Sequence, residues 1–316
     1  MKLFISRPLP DTVIDRARAG FDVTLRGDTT SMSQDEIAAS LRDFDLVLPT
    51  LGDFYSAEVF KAAGNIRAKL LANFGVGYNH IDVDAARANG IAVSNTPGAV
   101  TDATADTAMT LILMTARRAG EGERLVRAGR WDGWHPTQML GMHVTGKTVG
   151  IIGMGRIGEA IAARCHHGFE MEVVFFNRSP KTPPFPARQL DSIQDVARAC
   201  DILVIAVPGG TDTWHLIGAD TFAAMQPHAI FVNIARGEIV DEAALIAALD
   251  AGQIAGAGLD VYEFEPKVPD ALIARENVAL LPHLGTATLE VRTAMGMLAM
   301  DNLEAFAAGK PLISPV

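Results

Sequence analysis

Cysteine is nearly absent: Cys165 and Cys200 are the only two in 316 residues. No CxxC pair and no His/Cys/Asp/Glu cluster at metal-ligand spacing occurs, so a disulfide framework and a zinc module are excluded. The two thiols are expected to serve as small apolar residues within helices. Long apolar runs are missing too. No stretch reaches the roughly 18 uninterrupted apolar residues of a membrane span. The N-terminal "MKLFISRPLPD" meets Arg and Pro before an apolar run of signal length. A soluble, cytoplasmic protein is expected. Nor is there a basic excess: 27 Lys and Arg stand against 37 Asp and Glu, a net charge of −10. This argues against a nucleic-acid partner, whose phosphates need a basic face.

What is present is alternation. Short apolar runs ("KLFIS", "DVTLR", "DLVLPT", "AKLLANF", "IAVSN") alternate with helix-like segments such as "PDTVIDRARAG", "SQDEIAASLRD" and "DVDAARANG". In the first of these, Pro10 and Asp11 near the start and Gly20 at the end follow the usual asymmetry of helix caps. Alternation of this kind means βαβ units and a parallel sheet. The stretch "TDATADTAMTLILMTARRAGEGERLVRAG" reads as one long helical segment. A second series of six strands then follows: "TVGIIG", "EVVFFN", "DILVIAV", "AIFVNIA", "GAGLDVY" and "NVALLPH". Six is the count of a doubly wound dinucleotide domain. The residues past His283 amount to one amphipathic helix, too little for a domain, so it is expected to return to the first. The fold class is therefore α/β, with two doubly wound parallel sheets. Residues 1–98 and 286–316 form a discontinuous substrate-binding domain, and residues 99–285 a dinucleotide-binding Rossmann domain inserted in it.

The chemistry begins at Gly153-Met154-Gly155-Arg156-Ile157-Gly158. This GxGxxG follows a strand and opens a helix, the context that gives the motif meaning. The first glycine permits the tight turn, the second lets a pyrophosphate approach, and the third allows helix–strand contact, with phosphate at the positive end of the helix. One further absence stands at the end of the next strand. There "EVVFFNRSPK" carries Asn177, Arg178 and Ser179 where an acid usually meets the ribose hydroxyls of NAD. Removing the acid removes repulsion of a 2′-phosphate, Arg178 supplies a guanidinium for it, Ser179 adds a hydroxyl, and Lys181 adds charge. NADP(H) is the expected cofactor, with NAD(H) weaker. The competing reading leaves Arg178 in solvent.

Ligands in open parallel sheets sit outside the carboxyl ends of the strands. Arg236, Glu265 and His283 stand beyond three strand ends of one sheet. Arg grips carboxylates bidentately, His exchanges protons near neutral pH, and a carboxylate beside an imidazole favours its charged form. Each also fits a structural role taken alone. Arg236 could pair Glu238 or Asp241, Glu265 could be a loop acid before Pro266, and His283 could shape a turn.

Four stretches, "GKTVGIIGMGRIG", "VNIARGEIVDEAAL", "GAGLDVYEFEP" and "LLPHLGTAT", with "GVGYNHIDVDAARANGIAVSNTPGAVTDATADTAM" earlier, resemble the D-isomer-specific 2-hydroxyacid dehydrogenases, and within them the glyoxylate/hydroxypyruvate reductases. The resemblance spans roughly residues 70 to 290. It implies that Arg236 binds the substrate carboxylate, that His283 protonates the carbonyl oxygen, and that Glu265 pairs with His283. It also implies that Val76 and Gly77 offer backbone N–H groups to the carboxylate, with Leu51 near the substrate, and that the domains close on binding. On the cofactor side, it implies that Asp260 meets the nicotinamide amide and that Val207, Pro208, Thr213 and Ile234 line the dinucleotide. Glu265 favours 2-oxo acid reduction, since the formate dehydrogenases of the superfamily carry Gln there, and the chain has no room for the regulatory domain common in phosphoglycerate dehydrogenases.

The leading function is thus NADPH-preferring reduction of glyoxylate or hydroxypyruvate to a D-2-hydroxy acid. A broader 2-oxo acid reductase, for example of phenylpyruvate, would be decided by the loop "TLGDFYS" with apolar Leu51 and Phe54. A dinucleotide-sensing corepressor is the non-enzymatic alternative, disfavoured by the short termini and acidic charge. Trp131 and Trp134 lie where the family makes its homodimer contact; a packed aromatic pair within one subunit is the alternative.

Overall fold

Two parallel sheets account for all twelve strands in the chain. The computed structural model describes residues 1–316 and divides into two units, Met1–Val100 with Ala287–Val316, and Thr101–Thr286. In chain order the first unit contains β1 (Lys2–Ile5), α1 (Asp11–Gly20), β2 (Asp22–Leu25), α2 (Gln34–Asp43), β3 (Leu46–Leu48), α3 (Ala57–Ala63), β4 (Leu70–Ala72), α4 (Val83–Ala88) and β5 (Ala92–Ser94). Its strands run in the order β2-β1-β3-β4-β5, all parallel, which is the flavodoxin-like order. Local sequence sets the helix starts. Ser33 and Glu36 form a reciprocal capping box on α2, satisfying two otherwise orphaned N–H groups. Gly20 does not serve as a cap. It is the last helical residue of α1, and Phe21 ends the helix in an extended conformation with its N–H on the Ala17 carbonyl.

The second unit contains α5 (Thr101–Ala116), α6 (Ala119–Arg127), β6 (Thr148–Ile152), α7 (Arg156–Phe169), β7 (Glu172–Phe176), β8 (Arg188–Gln189), α8 (Ile193–Ala199), β9 (Ile202–Ile205), α9 (Ala219–Ala224), β10 (Ile230–Asn233), α10 (Glu242–Asp250), β11 (Gly256–Leu259), α11 (Asp270–Ile273) and β12 (Val278–Leu280). The chain then re-enters the first unit as α12 (Leu289–Ala307), which packs Ala299, Met300 and Leu303 among Leu3, Val13 and Leu70. The second sheet has the order β12-β11-β10-β9-β6-β7-β8 and is parallel throughout. Strands β9 and β10 are buried along their whole length, as expected where helices cover both faces.

Three further sequence expectations change. The sheet has seven strands, not six. The seventh, β8, is two polar residues on the sheet edge, with no apolar run to announce it. The long helical segment is two helices, because Met142 donates its N–H to the Ala116 carbonyl at 2.7 Å and Arg118 turns left-handed at φ 53°. Cys165 lies inside α7 as expected, but Cys200 follows α8 as its C-cap; both are buried. No helix is long and apolar enough to cross a membrane.

Candidate active site

Because every strand of the second sheet is parallel, all its carboxyl ends lie along one edge, with the reversal of strand order between β6 and β9. Such a switch point is where open α/β sheets bind ligands. The glycine turn after β6 fits a dinucleotide. Gly153 adopts φ 99°, and a Cβ there would lie 2.8 Å from the Ala206 carbonyl oxygen. A Cβ on Gly158 would come within 2.0 Å of the Gly153 carbonyl oxygen, whereas one on Gly155 would meet nothing within 4 Å. Two glycines are therefore required by the protein's own packing, and the third faces open space. Gly155 is also the N-cap of α7 and offers no side-chain cap, so the first-turn N–H groups remain for an anion. Arg156 is exposed and Ile157 half-buried at that helix start.

Asn177, one residue past β7, does more than remove an acid. Its Oδ1 accepts the Met154 N–H at 3.1 Å, tying the end of β7 to the glycine turn, and its Nδ2 donates to Ser179 O at 2.9 Å and Ser179 Oγ at 3.1 Å. Arg178 is 81% exposed and reaches Asp212 only at 4.0 Å. At that distance and exposure the pair is weak, and the guanidinium is available to an anion. Ser179 and Lys181 are exposed beside it. Past β9, Val207 is half-buried and Pro208 exposed, and the Thr213 hydroxyl donates to the Pro208 carbonyl at 2.8 Å. Ile234 is buried just after β10.

Arg236, Glu265 and His283 meet at the other end of this edge. None is on a strand. Arg236 is half-buried and opens a short 3-10 turn, Gly237–Ile239. Glu265 lies in a turn beyond β11 and precedes a cis proline. His283 follows β12 with φ 56°, a left-handed conformation that costs a non-glycine residue of order 1–3 kcal/mol. Its Nδ1–H donates to Glu265 Oε2 at 2.8 Å, and Glu265 Oε1 accepts the Tyr262 N–H at 3.0 Å. Burial raises the Glu265 pKa, but the His283 hydrogen bond and charge, the Tyr262 amide and the Arg236 charge outweigh it and hold the carboxyl below its ordinary value. Burial lowers the Arg236 pKa, against the opposing charges of Glu265 and Glu238. The arrangement leaves His283 Nε2 as the ring atom not used by the carboxylate.

Asp260 sits beneath this pair at 1% exposure. Its two carboxylate oxygens accept the Leu284 N–H at 2.6 Å and the Gly285 N–H at 2.9 Å, and its carbonyl accepts the His283 N–H at 2.9 Å. Burial raises its pKa, partly offset by those amides and by His283. The residue grips the whole turn that carries the imidazole.

In the first unit, Leu51 is 38% and Phe54 66% exposed, while Val76 and Gly77 are half-buried. The loop of Leu51 and Phe54 is held by a pair the sequence reading missed. Arg7, just past β1, forms a bidentate bridge to Asp53 at 2.7 and 2.8 Å, and also bonds Thr50, the Leu51 carbonyl and the Thr29 carbonyl. Asp53 is fully buried and accepts the Met32 N–H as well. The pair sits where the order of the first sheet reverses, between β1 and β3. Like Arg236, Arg7 is a cation just beyond the carboxyl end of a parallel strand, and that position is the signal the sequence offers for it.

A family model described as D-isomer specific 2-hydroxyacid dehydrogenase, NAD binding domain, matches residues 109–285. A glyoxylate reductase of Thermococcus kodakarensis is 42% identical over 98% of this chain and 94% of its own length. The chain belongs to the D-isomer-specific 2-hydroxyacid dehydrogenases. A glycerate dehydrogenase of Hyphomicrobium methylovorum is 36% identical over 98% of this chain and 96% of its own. Among solved structures, an NADPH-dependent glyoxylate/hydroxypyruvate reductase of Sinorhizobium meliloti, crystallised with NADP and malonate, superposes with a TM-score of 0.89 at 35% identity, covering 100% of this chain and 96% of that one. The cofactor of such a family is a nicotinamide dinucleotide, and the glycine turn fits one.

Asp260→Asn separates two roles for this residue. An Asn must turn an N–H toward Leu284 or Gly285, leaving a buried amide unpaired at a cost of about 1–3 kcal/mol. If the loss falls on the His283 turn, kcat drops roughly ten- to hundredfold while the dinucleotide Kd measured by fluorescence quenching stays within a few-fold. A change confined to the dinucleotide Kd would mean that Asp260 serves the nicotinamide instead.

Proposed function

We propose that the chain reduces a small 2-oxo acid, glyoxylate or hydroxypyruvate, to the D-2-hydroxy acid, with NADPH preferred over NADH. The observation that carries this is His283, held in a left-handed turn with Nδ1 on Glu265. The second unit acts as the dinucleotide-binding domain and the first as the substrate-binding domain. When bound, the reduced nicotinamide supplies the hydride. His283 Nε2 delivers a proton to the carbonyl oxygen as charge develops there, a contribution typically of 10²–10⁴ in rate. Glu265 stabilises the protonated imidazole and fixes which nitrogen faces the substrate. Arg236 binds the substrate carboxylate and polarises the 2-oxo group, and the Val76 and Gly77 amides bind the same carboxylate.

The preference for NADPH rests on Asn177, Arg178 and Ser179 in place of an acid. An exposed guanidinium with only a distant Asp212 partner suits a 2′-phosphate. The exposure of Leu51 and Phe54 supports a second reading in which bulkier 2-oxo acids such as phenylpyruvate are also reduced. A homodimer is proposed on the segment after α6. Trp131 and Trp134 are 55% and 79% exposed and Leu140 is 68% exposed, which supports an interface over an aromatic pair packed inside one subunit. Exposed aromatics of this kind are enriched at interfaces.

A panel of 2-oxo acids with NADPH and NADH tests the reading: turnover of glyoxylate or hydroxypyruvate is expected, and no oxidation with any 2-oxo acid would reject it. Arg178→Ala is expected to raise KM for NADPH far more than for NADH, since a charge-assisted phosphate contact is lost; equal changes would place Arg178 in solvent. Sedimentation at micromolar concentration is expected to give a dimer mass, and a monomer would remove the interface.

A further inference from the structure

The loop after β4 is built so that its carbonyls face inward. Asn73, the first residue past that strand, is fully buried. Its Nδ2 donates to the Gly75 carbonyl and to the Gly77 carbonyl, both at 3.0 Å. Asn95, past β5, donates its Nδ2 to the carbonyl between them, that of Val76, at 2.9 Å. Thr96 N–H adds a second bond to the Gly75 carbonyl at 3.0 Å. Three successive carbonyls are therefore pinned from the side of the sheet.

A trans peptide is planar, with C=O and N–H on opposite sides. Pinning the carbonyls of Gly75, Val76 and Gly77 consequently turns the N–H groups of Val76, Gly77 and Tyr78 the other way. None of those three amides is used in the bonds that hold the loop. Successive N–H groups facing one side make a concavity that takes an anion. The two carbonyls fix the sense of the Asn73 amide, with its NH2 toward them and its Oδ1 toward His80. His80 is 4% exposed and its Nε2 lies 3.0 Å from that Oδ1, so with the amide in this sense Nε2 is the donor of the bond. The His80 carbonyl accepts the Tyr55 N–H at 2.8 Å, which ties this loop to the one bearing Leu51 and Phe54.

We propose that Asn73, backed by His80 and Asn95, positions a three-amide anion site at Val76, Gly77 and Tyr78 that takes the carboxylate of the 2-oxo acid. This rests on the assignment of Val76 and Gly77 to that carboxylate. It adds Tyr78 as a third donor and makes Asn73 a positioning residue, one that touches no substrate atom. An alkyl side chain at position 73 would leave the Gly75 carbonyl with the Thr96 N–H alone and take the Asn73 donor from the Gly77 carbonyl, so that the peptide plane carrying the Tyr78 N–H would be free to turn.

The test uses the full chain with glyoxylate, NADPH and oxamate, a carboxylate-bearing dead-end inhibitor. Asn73→Asp keeps size and the acceptor toward His80 but removes both donors. Asn95→Ala removes the Val76 support from a half-buried position and serves if the first variant does not fold. Each variant is expected to raise KM for glyoxylate and Ki for oxamate together, roughly tenfold or more, with KM for NADPH and thermal midpoint near wild type. Unchanged KM and Ki in folded variants overturn the inference while leaving the wild-type activity reading intact. A parallel fall in kcat, NADPH affinity and thermal midpoint also overturns it, because that is the pattern of general structural damage. If wild type neither reduces a 2-oxo acid nor binds oxamate, the activity reading fails and the positioning role falls with it.

Discussion

The grip of Asp260 on the turn after β12 is the constraint on which the site depends. A histidine with φ 56° would relax to an extended or right-handed conformation if nothing held it. Two carboxylate oxygens and one carbonyl of a single buried residue take the N–H groups of His283, Leu284 and Gly285, and those bonds offset the backbone strain. Only with the turn fixed does Nδ1 meet Glu265, and only then is Nε2 the free edge of the ring. Glu265 is set independently, by the Tyr262 amide. The imidazole and the carboxylate are therefore brought together from two strand ends, each with its own backbone bonds, and the bond between them sets which ring nitrogen is left over.

The first unit uses the same device with different groups. Parallel strands deliver loops to one edge, and buried polar side chains then fix the backbone of those loops. Arg7 and Asp53 do this where the strand order reverses, and Asn73 and Asn95 do it one and two strands further along. Removing one partner of a buried ion pair costs about 3–5 kcal/mol, so these are expensive groups to place away from water. They stand at loops proposed to meet substrate, and not under the helices, where apolar packing suffices.

Much of this was legible in the sequence. Short apolar runs mark all five strands of the first sheet and six of the second, because most of these strands pack between helices and are rich in apolar residues. Strand ends then pointed to Arg236, Glu265 and His283. Edge strand β8 was not legible, since Arg188 and Gln189 pair on one side only and need no apolar face. The break at Arg118 was hidden because it depends on a bond from Met142, a contact distant in sequence. Asp260 was read only through a family resemblance, and its hold on Leu284 and Gly285 required coordinates. Asn73 was invisible for a related reason: an asparagine after a strand is a common turn residue, and its purpose appears only when its Nδ2 is seen to hold the Gly75 and Gly77 carbonyls. The proposed preference for NADPH rests on an absence legible in the sequence, the missing acid at position 177.

The central claim is that the held imidazole of His283 is the proton donor. Steady-state reduction of glyoxylate by His283→Ala, with dinucleotide binding measured in parallel, tests it most directly. The account predicts kcat lower by ~10²–10⁴ with dinucleotide Kd close to wild type. Wild-type kcat in a variant that binds the dinucleotide normally would contradict it.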